Sequence, residues 1–242
     1  MEGKMAEVPS GAGVTGAGGS PTEKPLLRGW FHAAAAVAAV AVTLLLAWLS
    51  SGDWPKMVSM LVFGLSMVEL FTVSAVYHMG KWRPQVHRVL RALDHSNIFV
   101  IIAGTYTALC LNLLTGAWRV TILTLIWALA LAGIALSVLT IGVTHLHIQV
   151  PRWAATGLYI AMGWVAVFAL PELLQVLPWT AMALLLLGGA LHTVGAVIYA
   201  RKRPNPFPRV LGFHEIFHAF VVAGSVVFTI VVWVWVLPAV RG

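Results

Sequence analysis

Charge is what this chain lacks. Only 10% of its 242 residues are Asp, Glu, Lys or Arg, while 60% are hydrophobic; a soluble domain carries roughly 25% charged residues. Cysteine is nearly absent. The single Cys110 excludes an internal disulfide, cysteine-rich zinc sites and iron–sulfur clusters, and it leaves the redox compartment undetermined. Lysine is missing from the middle of every apolar run. Lys4, Lys24, Lys56, Lys81 and Lys202 fall in the tail, loops or interfaces, which excludes the buried Schiff-base lysine of a retinal protein. The net charge of +7 would suggest nucleic acid in a soluble protein. Here the basic residues occupy short segments between apolar runs. They point to topology control and contact with anionic lipid headgroups, and no nucleic-acid partner is expected.

What the chain has is seven long apolar segments: Trp30–Ser50, Lys56–Met79, His95–Leu114, Trp118–Ile141, Pro151–Leu170, Pro178–Ala200 and Gly212–Leu237. Each is long enough to cross a hydrocarbon core of about 30 Å at 1.5 Å per residue. The expected fold is an all-α membrane protein, one seven-transmembrane helix bundle over residues 30–237. A Gly-, Ala- and Pro-rich tail, residues 1–29, precedes it and is expected to be disordered. No signal peptide is expected, because the first apolar run begins at Trp30 and is long enough to span. Trp and Tyr gather near the span ends, as an interfacial belt requires. With the N-terminus cytoplasmic, twelve of the fifteen Lys and Arg fall on inside segments, leaving Lys56, Arg119 and Arg241 outside. That split places the C-terminus outside and the protein in the cell membrane as a multi-pass chain. No internal repeat of an inverted-repeat transporter is visible.

The seventh segment opens with His214-Glu215-Ile216-Phe217-His218, two imidazoles one helical turn apart on one face. The second segment, running inward, ends Ser74-Ala75-Val76-Tyr77-His78, and the third begins Asp94-His95-Ser96. Topology therefore brings Ser74, His78, Asp94, His214 and His218 into one layer near the cytoplasmic ends of three helices. Ionisable groups inside a membrane are rarely idle. Three imidazoles plus a water make the open tetrahedral arrangement of a catalytic zinc. Asp94 is the natural partner for that water, and Ser74 can donate or accept a hydrogen bond beside it. Glu215 completes an HExxH pattern, but that protease motif belongs to soluble folds; a first-turn acid favoured by the helix dipole explains it.

Other polar residues carry less. His87 lies in a basic loop, His32 at an inner interface, and His145 and His147 flank the fourth span. His192 is expected to make an interhelical hydrogen bond. His95 points about 100° away from Asp94 around the helix. Glu69, roughly 180° around its helix from His78, is expected to face another helix in a protonated or hydrogen-bonded state. Thr105, Tyr106, Thr107 and Asn112 form a stripe that either packs between helices or lines a cavity. A haem is disfavoured, because an i, i+4 pair on one helix suits a metal ion better than axial ligation.

The runs KPLLRGWFH (24–32), SAVYH (74–78), LDHSNIFVIIAGTYT (93–107), LYIAMGW (158–164) and GFHEIFH (212–218) resemble the hemolysin III family, part of the PAQR group that includes adiponectin and progestin receptors. The resemblance runs from about residue 24 to 236. It implies a seven-helix bundle with its N-terminus inside and a Zn2+ near the cytoplasmic face. It also implies zinc ligation by His78, His214 and His218, with Asp94 holding the zinc-bound water and Ser74 assisting. The constellation is similar to that of alkaline ceramidases, and ceramide-type amide hydrolysis is attributed to the receptor branch.

Residues and resemblance together lead to three readings. The first is a zinc-dependent hydrolase of a lipid amide or ester, with membrane lipid as both solvent and substrate. The second is a receptor-like or membrane-homeostasis protein with structural zinc. The third is a pore-forming cytolysin, which no releasable amphipathic segment supports.

Overall fold

The computed structural model describes residues 25–142 and 151–240. Residues 1–24 of the expected tail, together with His145, His147 and Arg241, lie outside the described residues. Seven described helices are long and apolar enough to span a membrane: α1 (Trp30–Leu49), α2 (Trp54–Met79), α3 (Pro84–Leu113), α4 (Gly116–Ile141), α5 (Trp153–Val176), α6 (Trp179–Arg201) and α7 (Phe213–Val236). No strand occurs among the described residues beyond one isolated bridge between Phe207 and Leu211. The fold is an all-α seven-helix bundle.

Two helices depart from their expected limits. α3 begins at Pro84, about three turns before His95. Pro84 occupies the first helical positions, where its fixed φ suits a helix and its missing N–H is not needed. The Arg, Leu, Ala and Gln that follow are good helix formers. Hydropathy marks only the part of a helix inside hydrocarbon, so it could not see this extension. His87, expected in a loop, is thus a helical residue, although exposed.

α5 continues past Leu170 to Val176 through a 3₁₀ stretch over Trp164–Ala169 and then Pro171. Proline lacks the donor for residue i−4 and crowds its carbonyl, so the tighter turn just ahead of it has a local cause. Tyr106 of α3 serves the interrupted ladder. Its hydroxyl donates to the Gly163 carbonyl (2.9 Å) and accepts from the Ala166 N–H (2.6 Å). Backbone groups in hydrocarbon have no water to turn to, so the side chain takes the place of the missing turn partner.

α3 is the central helix: 78% of its most apolar window is buried, against 22% for α5 and for α6. Its polar stripe both packs and lines a cavity. Thr107 accepts from the Trp127 indole (3.1 Å) and Asn112 donates to Ser59 Oγ (2.8 Å), whereas Thr105 and Tyr106 also border the interior cavity. Gly104 lets α2 approach α3, since a Cβ there would collide with the Ser66 side chain. At the far end, Lys56 Nζ donates to the carbonyls of Leu237 (2.9 Å) and Ala239 (2.7 Å), capping groups that the end of α7 leaves without helical partners.

Tyr106→Phe leaves the Gly163 carbonyl and the Ala166 N–H without their bridge. The expected loss is about 1 kcal/mol, read as a lower midpoint of thermal unfolding in detergent with the helix content unchanged.

Candidate metal centre

Three helices meet in one layer. The last two turns of α2 supply Ser74 and His78, α3 supplies Asp94 from nearly three turns inside its start, and the first two turns of α7 supply His214 and His218. The Nε2 atoms of His78 and His214 lie 3.0 Å apart. One ligand atom from each of His78, His214 and His218 falls within 4.8 Å of the others. Nitrogens bound tetrahedrally at about 2.0–2.1 Å stand roughly 3.4 Å apart, a spacing these separations bracket. The donor set is three imidazoles in a buried setting, with His78 8% and His218 2% exposed. Three lone-pair donors brought this close with no anionic partner in the triad itself suit a divalent cation, and the residues fit one.

Asp94 Oδ2 stands 3.8 Å from His78 Nε2. That is beyond direct hydrogen bonding, but one oxygen placed to the side can contact both groups. Ser74, 1% exposed, is a side-chain hydrogen-bonding neighbour of Asp94. The five residues singled out from the sequence are therefore brought together around one point.

Glu215 is not aimed at the triad. Its Oε2 accepts from the Gly212 N–H (2.8 Å), and its Oε1 receives Arg28 Nε in an ion pair. The carboxylate thus caps α7 and clamps the segment that enters α1. Leu26 and Leu27 add backbone bonds to the carbonyls of Arg209 (3.0 Å) and Val210 (3.3 Å). Residues 25–29, which the sequence placed in the tail, therefore form a strap across the site. Gly29 turns the strap with φ +86°, and a Cβ there would sit 3.3 Å from His78 Cβ and 2.7 Å from Met79 Cγ.

Sequence reasoning missed His32. Its ring stacks on His218, centroids 3.8 Å apart and planes within 2°. It is 2% exposed, and neither ring nitrogen has a hydrogen-bond partner among the described residues. The depth argument that grouped the other imidazoles, applied to the first turn of α1, would have found it. Three other expectations resolve as follows. His192 Nδ1 bonds to Gly188 O (2.9 Å) within its own helix, not between helices, because an imidazole at i reaches the i−4 carbonyl. His95 Nδ1 likewise meets Arg91 O (2.9 Å). Glu69 meets α3 through Asn97, whose amide nitrogen, oriented to satisfy its acceptors, reaches Glu69 Oε1 at 3.2 Å.

A cavity of about 650 Å³ opens beside the layer. Ser74, Asp94, His214 and His218 border one end, and Phe63, Leu109 and Leu173 the other; most of the wall is apolar. Counted along α3 from Asp94 to Leu109, it reaches roughly 22 Å at 1.5 Å per residue, more than one leaflet's share of the about 30 Å hydrocarbon core.

Residues 21–229 match the family model described as "Haemolysin-III related". The chain is 35% identical over 187 residues to "Hemolysin-3" of Bacillus cereus, covering 77% of this chain and 79% of that protein. It is 36% identical over 168 residues to "Hemolysin-3 homolog" of Bacillus subtilis (strain 168), covering 69% of this chain and 72% of that protein.

Metal analysis of the purified protein is expected to find one equivalent of a divalent cation. His78→Ala, His214→Ala and His218→Ala are each expected to lose it on dialysis. Arg28→Ala is expected to keep the metal but to lower stability by about 3 kcal/mol, the cost of leaving a buried carboxylate without its partner. Denaturation of the metal-loaded variant checks this.

Proposed function

We propose that this chain, a multi-pass membrane protein that belongs to the haemolysin III family, is a zinc-dependent hydrolase of a lipid amide or ester. The observation that carries the reading is the junction of a three-imidazole donor set with a long apolar cavity, since His214 and His218 border that cavity. A purely structural metal is normally closed off by protein; here two of the three donors face the space a substrate would fill. The concentration of Lys and Arg at this end of the bundle supports a cytoplasmic site and a cytoplasmic N-terminus.

His78, His214 and His218 would hold the cation as neutral ligands. When bound, Zn2+ polarises a carbonyl and makes water acidic enough to attack near neutral pH. The cavity takes the acyl chain and sets its carbonyl beside the triad. Asp94 accepts a proton from the attacking water and returns it to the leaving nitrogen or oxygen, so that amide or ester plus water gives a fatty acid and an amine or alcohol. Ser74 keeps the Asp94 carboxyl oriented. His32, stacked on His218, fixes that ring's rotamer and screens it from lipid. Desolvation by the apolar wall strengthens each of these interactions.

Asp94→Asn is expected to retain the cation while lipid turnover falls about 10²–10⁴-fold. Ser74→Ala is expected to show a smaller loss. Purified protein with stoichiometric zinc that cleaves neither lipid amides nor lipid esters would defeat the hydrolase reading. A liposome leakage assay separates the remaining alternative: dye release without lipid turnover would favour the lysis that the names of the Bacillus relatives suggest.

A further inference from the structure

The mouth of the cavity is basic in a way the proposed chemistry does not use. α3 extends past the membrane layer, and Arg88, Arg91 and Asp94 lie along one i, i+3 row of that helix. All three border the cavity, as does His87. Both arginines are exposed, and among the described residues neither forms an ion pair with a carboxylate. Among the described acids, Asp94 lies one turn from Arg91 but turns toward Ser74 and His78, Glu215 is held by Arg28 and Gly212, Glu69 meets Asn97, Asp53 caps α2 at the opposite end, and Glu172 lies in the last turns of α5. A cavity that is apolar along its length and cationic at one rim is built for a molecule with a tail and an anionic head.

We propose that the cavity binds a membrane lipid carrying a phosphate a few bonds from its acyl carbonyl, with Arg88 and Arg91 as the headgroup site. The spacing selects phosphate on the headgroup over a bare fatty-acid carboxylate. Along the helix Arg91 stands about 4.5 Å and Arg88 about 9 Å from the level of Asp94. A fatty-acid carboxylate contains the reacting carbon itself and belongs at the triad. A phosphate joined through a glycerol unit reaches the arginines while its ester carbonyl sits at the histidines. Guanidinium forks bind phosphate oxygens in pairs, which gives orientation as well as charge. The placement of the carbonyl rests on the hydrolase reading; the binding claim does not.

The test uses the full-length, zinc-loaded protein in uncharged detergent and two non-cleavable diether lipids, one with a phosphate headgroup and one with a free hydroxyl. Retention of each is read by native mass spectrometry. The phosphate lipid is expected to be retained at least about tenfold better, the factor that one charged hydrogen bond supplies. Arg88→Gln combined with Arg91→Gln is expected to abolish that preference with bound zinc unchanged, and the paired Lys replacements are expected to restore part of it. Equal retention of the two lipids would overturn the proposal. So would an equal loss in a control with Arg201→Gln and Lys202→Gln, which would mean diffuse surface attraction, or displacement of the lipid by millimolar inorganic phosphate alone. The two readings fail separately. Selective retention of the phosphate diether without turnover of any diacyl lipid would sink the hydrolase and leave this site standing. Turnover with equal kcat/KM for neutral and phosphate-bearing esters would do the reverse.

Discussion

The site and the middle of the bundle answer to one constraint: a polar group within hydrocarbon has to look for its partner inside the protein. At the basic end that constraint gathers His78, His214 and His218 until their ligand atoms lie within 4.8 Å of one another. Imidazoles without water serve one another poorly as partners. The 3.0 Å contact between two Nε2 atoms can be at most one hydrogen bond, and only with one ring as donor. A shared cation would satisfy all three at once. The rest of the architecture can be understood as what holds them in place: the strap of residues 25–29, the Arg28–Glu215 pair, the cap on Gly212 and the stack of His32 on His218.

The same constraint explains the middle of the bundle. α3 carries more buried polar side chains than its neighbours α4, α5 and α6 and is the most enclosed helix. Its hydroxyl and amide groups meet Trp127, Ser59 and the interrupted backbone of α5. The break in α5 and the tyrosine that serves it lie on the cavity wall. The helix irregularity, its repair and the space for a ligand are thus neighbouring features. A straight α5 would present a different wall.

Much of the fold was legible in the sequence because hydrophobic length is a local property. Seven apolar runs gave seven spans, and the errors sit where hydropathy has no power. The start of α3 is helical but charged, and the end of α5 lies beyond a proline. The site residues were legible for a different reason. An i, i+4 histidine pair and a topology that alternates direction fix depth without any knowledge of packing. Depth alone, however, does not distinguish a side chain aimed at the layer from one aimed elsewhere. His32 and His95 both lie at the right level; the first stacks on His218 and the second turns to its own backbone.

The sequence by itself determined the class of molecule, the number of spans, the shared level of His78, Asp94, His214 and His218, and the family resemblance. All of these follow from composition and order along one chain. Only the tertiary structure decided which residues touch: that Glu215 pairs with Arg28 instead of facing the triad, that His32 covers His218, and that Arg88 and Arg91 share a cavity with Asp94. The physical reason is that azimuth around a helix acquires meaning only when a neighbour is packed against it. Arg28 and Glu215 are 187 positions apart, a separation that no local pattern spans.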